Sequence, residues 1–194
     1  DIGSFVSAVT DVVKSTLASN GGIKSFYVGV PDEFIKLVNV DKILSFSSAK
    51  KINSSDVKTL IGMSAPADDE AWRTVRHSCL YYVLSDKRKV IDPVGAFSDS
   101  LQGKFCFYKC RNSFIGCIMD AFKRFKDILT VNLIPASHAQ AMYLIDPEKR
   151  NKCTALLDLG FISSTYSVVY GDGLLYSEAF SVGIGHVAVY LMSE

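Results

Sequence analysis

The chain reads as an α/β fold, on three observations. Apolar residues recur at helical spacing through Ile2, Phe5, Val6, Val9, Val13 and Leu17, and a β-rich run from Ser25 to Val30 follows at once. The middle of the chain carries long β-rich stretches bounded by turn residues. Near the C-terminus, Ala155-Leu156-Leu157-Asp158-Leu159-Gly160 and Tyr166-Ser167-Val168-Val169-Tyr170 flank a Ser/Thr turn, Ser163-Ser164-Thr165, as the two strands of a hairpin. Helix and strand alternating in this way belong to layered α/β architectures.

The elements follow in order. Asn20-Gly21-Gly22 stops the first helix with a left-handed cap, and Pro31 closes the first strand. Phe34 to Phe46 forms one strand or a short pair. Asn53-Ser54-Ser55-Asp56 supplies capping side chains and an early acid to a helix through Leu60 and Met63. Asp68-Asp69-Glu70 reads as a solvated turn. His77 to Leu84 is a strand, and another extended stretch begins at Val90-Ile91. Asp92-Pro93-Val94-Gly95 has the residue order of a type I turn. In the strand Phe105 to Cys110, Cys106 and Cys110 share a face too far apart to bridge, so both read as packed thiols. Ile115, Ile118, Met119, Phe122 and Phe125 form a helix stripe, with Lys123, Arg124 and Lys126 at its dipole-negative end. Ile128 to Ile134 is a strand, Ala136 to Leu144 a helix rich in small residues, and Glu148 to Lys152 a charged connector. After the Asp158 hairpin, Gly171-Asp172-Gly173 turns into a third strand, Leu174 to Val182, and a last helix starts near His186.

With 194 residues, 48% hydrophobic and 21% charged, the composition is that of a folded globular chain. A net charge of +1 gives no footprint for nucleic acid. No apolar stretch is long enough to span a bilayer, and no secretory signal is visible at the N-terminus. Five cysteines without a C-x-x-C pair fit reduced, buried thiols of a cytosolic protein, and three dispersed histidines form no local metal pattern. The chain opens directly into a helix without an initiator Met and stops soon after another begins, so a piece of a longer protein is expected.

The chemistry-bearing segment is the Asp158 hairpin. Asp158 ends an apolar strand, where it can orient a hydrated Mg²⁺. Gly160 lets the chain reverse, and the hydroxyls of Ser163 and Ser164 together with backbone N–H groups can hold phosphate oxygens. Gly183, in Gly183-Ile184-Gly185 before the last helix, is a second place where backbone can meet phosphate. Each signal has a structural alternative: a buried Asp-Leu-Gly turn for the first, a tight strand-to-helix turn for the second.

The hairpin resembles the phosphate-holding hairpin of actin-like and Hsp70-like ATPases, and the collinear set of segments resembles the FtsA family of bacterial cell-division proteins. The segments that carry this are Tyr27-Val28-Gly29-Val30, Ile52 followed by Asp56-Val57, Asp92-Pro93-Val94-Gly95 with Leu101 after it, Ala136-Ser137, Asp158-Leu159-Gly160, and Gly183 with His186-Val187. The D-P-x-G turn is the most specific of them. The departures fall in the nucleotide loops. Phe161 and Ile162 stand in place of glycines, Ser163-Ser164 in place of threonines, and Thr165 where the family often has Asp. Ile184 breaks a Gly-Gly pair, and Ala188 and Tyr190 occupy positions that usually carry Thr and Asp.

The resemblance implies an actin-like, ribonuclease-H-like fold with an inserted small α+β subdomain of SHS2 type. Residues 1–30 and 127–149 would form subdomain 1A in part, residues 31–126 the inserted subdomain 1C, and residues 150–194 the start of subdomain 2A. It further implies a scaffold that binds ATP with Mg, self-assembles, and tethers the tubulin-like division ring to the inner membrane. Asp158, Gly160, Ser163, Ser164 and Gly183 would be the phosphate-binding residues. No catalytic residue is assigned, and Asp158 meets the metal only through Mg-bound water. The partners implied are FtsZ, through parts outside this chain, and both self-association and later division proteins through residues 31–126. Membrane contact would run through a C-terminal helix not in this sequence, placing the protein on the cytoplasmic face of the inner membrane. The alternatives are a scaffold like the pilus-assembly protein PilM, or an ATPase of the general actin/Hsp70-like kind. The altered loops imply weak turnover at most.

Overall fold

The structure is a computed structural model, described over residues 1–193. Helix α1 (Ile2–Ser19) is capped by the Asp1 carboxylate, which accepts from Gly3 N–H at 3.0 Å and the Ser4 hydroxyl at 3.2 Å. It ends at Asn20, and Gly22 follows in the left-handed region. Strand β1 (Ser25–Val30) then runs parallel to β6 (Thr130–Pro135), with Tyr27 opposite Asn132. A parallel pair needs a long crossover. Here the crossover is a whole layer of structure.

That layer opens with a single 3-10 turn, Asp32–Phe34, and continues through β2 (Ile35–Lys51), α2 (Ser54–Ser64), β3 (Trp72–Leu84), β4 (Lys89–Val90), β5 (Phe97–Arg111) and α3 (Asn112–Phe122). Its strands form an antiparallel sheet in the order β2-β5-β3-β4. The stretch expected as one strand or a short pair is one long strand, with its register broken between Ser45 and Lys50. β3 begins at Trp72, ahead of the expected His77, because pairing with β5 carries the polar Arg73 and Thr74 into the ladder. The turn at Asp92 differs from a type I turn on that residue. Ala96 N–H donates to Pro93 O at 3.1 Å and Gly95 sits at φ +94°, so the reversal runs over Pro93–Ala96 with glycine where a type II turn requires it. Asp92 accepts from Val94 N–H at 2.9 Å. The acidic turn does more than meet water. Asp69 accepts from Ala71 and Trp72 N–H, Asp68 from Thr74 N–H, and the buried Lys109 ammonium reaches Asp69 at 3.3 Å and Ala67 O at 2.6 Å.

Strand β5 is covered on both faces, so its side chains feed three cores. Phe105 and Phe107 pack with Leu60 of α2. Cys106 and Tyr108 point the other way, against Ala141, Ile145, Val169 and Leu174. Cys110 joins Val13, Val30, Phe114 and Ile118 between α1, β1 and α3. The cysteines are free thiols, and burial pushes Cys106 and Cys110 up to about 11.

After β6 come α4 (Ala136–Leu144), the short α5 (Pro147–Arg150), β7 (Thr154–Leu159), β8 (Ser164–Tyr170), β9 (Gly173–Phe180) and α6 (Ile184–Met192). β7-β8-β9 is an antiparallel sheet. One face carries Leu156, Asp158, Thr165, Ser167 and Leu174 toward α4 and the four-stranded sheet, while Leu157, Leu159, Tyr166 and Tyr176 are exposed on the other.

Helix α4 has no single apolar face, and polar contacts from other elements place it. Arg150, buried in α5, donates to Met142 O and Ile145 O at its C-terminal end and to Asp172 at 3.1 Å. A guanidinium there meets both the orphan carbonyls and the negative end of the dipole. His138 Nε2 lies 3.0 Å from Asp172 O.

Candidate functional site

The sequence-selected residues meet where the β7-β8 hairpin abuts the carboxyl ends of the parallel pair β1-β6, the end at which open α/β sheets receive ligands. Asp158, the next-to-last residue of β7, points toward α4 and accepts from Gln140 Nε2 at 2.8 Å. Gly160 starts the loop in close approach, since a Cβ there would collide with Ser163 O. Ser163 donates its hydroxyl to Glu33 Oε1 at 2.5 Å. Ser164 is buried and donates to Val182 O at 2.7 Å.

Gly183 brings the start of α6 onto that loop, where any Cβ would meet the carbonyls of Gly160 and Phe161. The contact consumes the helix N-terminus. Ile184 N–H donates to Gly160 O and Gly185 N–H to Phe161 O, both at 2.9 Å, and His186 N–H returns to Gly183 O at 3.0 Å. Gly183 N–H donates to His186 Nδ1 at 3.2 Å. By contrast, the loop N–H groups of Phe161, Ile162 and Ser163 donate to no protein acceptor among the described residues.

Residues outside the expected set complete the cluster. Ser137, in the first turn of α4, donates its hydroxyl to Asp32 Oδ1 at 2.6 Å, which lets Asp32 serve a helix whose own cap position is Pro135. Burial raises the Asp32 carboxyl above its usual range, hydrogen bonds from Ser137 and Thr165 oppose that, and the neighbouring Glu33 charge adds to it. None of the ion pairs among the described residues involves Asp32, Glu33 or Asp158. Asp32-Glu33 and the Ser137/Gln140 pair of α4 lie in two places about a hundred residues apart, and no local spacing joins the two. The available signal was that Pro31 and Pro135 close two strands, each with a polar residue just beyond.

A triphosphate on this hairpin needs free N–H donors, a hydroxyl turned toward the anion and a positive surrounding. The loop amides meet the first need. Both hydroxyls are engaged, and the charged groups hydrogen-bonded at the hairpin are carboxylates, Glu33 on Ser163 and Asp158 on Gln140. A phosphate therefore does not fit while Glu33 stays on Ser163.

No family model matches the chain, and no curated protein matches its sequence. Among solved structures, a chain of the PilM-PilN type IV pilus biogenesis complex is similar, with a TM-score of 0.57 and 14% identity, over 92% of this chain and 49% of that one, so this chain spans about half the solved chain's length. A Bacteroides thetaiotaomicron VPI-5482 protein described as having an actin-like ATPase fold and unknown function aligns over 94% of this chain and 59% of that one, at 7% identity and a TM-score of 0.37, too low to carry an argument. At 14% identity the likeness to the pilus-complex chain is one of architecture alone: the two share a fold.

Proposed function

We propose that this chain belongs to an actin-like scaffold that works by protein–protein assembly, of the kind found in the PilM-PilN type IV pilus biogenesis complex. The observation that carries the proposal is the alignment of 92% of the chain with that fold at a TM-score of 0.57. In this reading residues 1–30 and 127–149 belong to the first actin-like subdomain, 31–126 to an inserted SHS2-type subdomain and 150–194 to the second half. The scaffold sits on the cytoplasmic face of the inner membrane and recognises a PilN-type partner. Assembly is preferred over hydrolysis because the hairpin hydroxyls are committed inside the chain. ATP with Mg, general to the fold class, would need that hairpin rearranged.

The second reading is the division scaffold of FtsA kind, which holds FtsZ at the membrane. The Asp92-Pro93-Val94-Gly95 turn with Leu101 after it favours this one. One experiment separates the two. The protein is tested for binding to the cytoplasmic segment of a PilN-type protein from its own genome, by fluorescence anisotropy, and for co-sedimentation with filaments of its own tubulin-like division protein. Saturable binding to the first alone supports the pilus reading. Co-sedimentation alone transfers the assignment to the division ring, and failure of both, with folded protein, rejects assembly of either kind.

A further inference from the structure

We propose that Glu33 is an intrachain stand-in for phosphate, an autoinhibitory contact that holds the β7-β8 hairpin closed to anions until the carboxylate is withdrawn. The inference rests on the actin-like reading of the hairpin and goes beyond it by naming what keeps the loop shut. Three observations carry it. The Ser163 hydroxyl, one of the groups that a phosphate would use, donates to Glu33 Oε1 at 2.5 Å. The N–H groups of Phe161, Ile162 and Ser163 beside it have no protein acceptor among the described residues, so the loop keeps backbone donors of the kind anions use while its hydroxyl is taken by a carboxylate. Glu33 is exposed and has no ion-pair partner among the described residues, so no buried packing or cation fixes it there, and it can leave into water.

The turn that carries Glu33 is tied to its neighbours on both sides. Asp32–Phe34 is the direct link from β1 to β2. Phe34 anchors the turn by stacking on Phe114, with ring centroids 4.7 Å apart. Asp32 holds its other side through Ser137. With both flanking side chains engaged, withdrawal of Glu33 is a movement of its side chain that leaves the turn in place.

The test uses the whole chain and Mg-tripolyphosphate, a probe that needs no adenosine contacts, titrated by calorimetry. Glu33→Gln keeps size and polarity and removes the charge. It is expected to bind the probe about tenfold tighter than the wild type, the scale of one charge repulsion at short range near a surface. Adding Ser163→Ala to Glu33→Gln is expected to remove the gain, and the distant Glu148→Gln to give none. Circular dichroism and thermal melts establish that each variant is folded. Equal binding by wild type and Glu33→Gln overturns the proposal, whether both bind or neither does. A gain that survives Ser163→Ala overturns it too, since the effect is then one of net charge. The assembly reading is decided by partner binding alone. Retained partner binding without a phosphate gain sinks the gate and spares the scaffold, and the converse result sinks the scaffold and spares the gate.

Discussion

His138 is a residue whose protonation state the packing constrains. It is 4% exposed, its Nε2 faces Asp172 O, and its Nδ1 is buried with no hydrogen-bond partner among the described residues. Burial lowers its pKa below the ordinary 6.5; the Asp172 carbonyl and carboxylate oppose the shift, while Arg76 and Arg150 add to it. With the folded value below the unfolded one, the unfolded chain takes up the proton first, so stability declines as pH falls from about 6.5 toward the folded value. Asp32 acts with the opposite sign. Its folded pKa is raised, so the folded state gains stability as pH drops through that value toward 3.8. The urea midpoint is therefore expected to fall between pH 7.5 and 5.5, and His138→Gln should flatten most of that fall. A slope unchanged by the substitution would remove His138 as its source. Nothing in the sequence showed this role. His138 was one of three dispersed histidines, and its neighbours Tyr108, Arg150 and Asp172 come from three other elements.

Elements with local signals were readable from the sequence, and those fixed by partners were not. Helix α2 is of the first kind. Asn53 accepts from Ser55 and Asp56 N–H at 2.8 and 3.0 Å, and Asp56 returns the bond to Asn53 N–H, closing a capping box written in four consecutive residues. Asn53→Ala is expected to cost about 1 kcal/mol in chemical denaturation; a loss below a few tenths would mean that packing of Leu60 alone sets the start of this helix. The hairpin 154–170 and the turn at 171–173 were also legible from apolar alternation and glycine, and the bounds of α4 from Pro135 before it and Asp146-Pro147 after it. What was hidden was the long-range part. The turn at Gly95 answers to Ile52 O, which receives its N–H at 2.9 Å, and α4 answers to Asp32, Asp158 and Arg150 rather than to a stripe of its own. The turn after β7 was readable as a loop. That Glu33 lies on it was not, since 130 residues separate it from Ser163.

At the scale of the molecule the question is whether three sheets make one folding unit. Subdomains in the proposed sense would each own a core. The cores here are joined by one strand. β5 contributes Phe105 and Phe107 to the cluster under α2, Cys106 and Tyr108 to the cluster shared with α4 and the C-terminal sheet, and Cys110 to the cluster of α1 and α3. Helix α3, at the end of the stretch 31–126, packs against α1, so the proposed inserted subdomain shares this core with the first. Removing any one of the three units exposes a buried face of β5, which favours a single cooperative transition. Trp72, the chain's single tryptophan, sits on β3 opposite Arg111 and reports the four-stranded sheet, while far-UV dichroism reports all elements. The two signals are expected to melt together. Tyr108→Ala, which empties a fully buried site between the sheet and α4, should shift both midpoints by the same amount, at a cost of about 3 kcal/mol or more. If tryptophan fluorescence instead melts apart from dichroism, or Tyr108→Ala moves one curve alone, the four-stranded sheet is an autonomous domain and β5 is its floor rather than the link between cores.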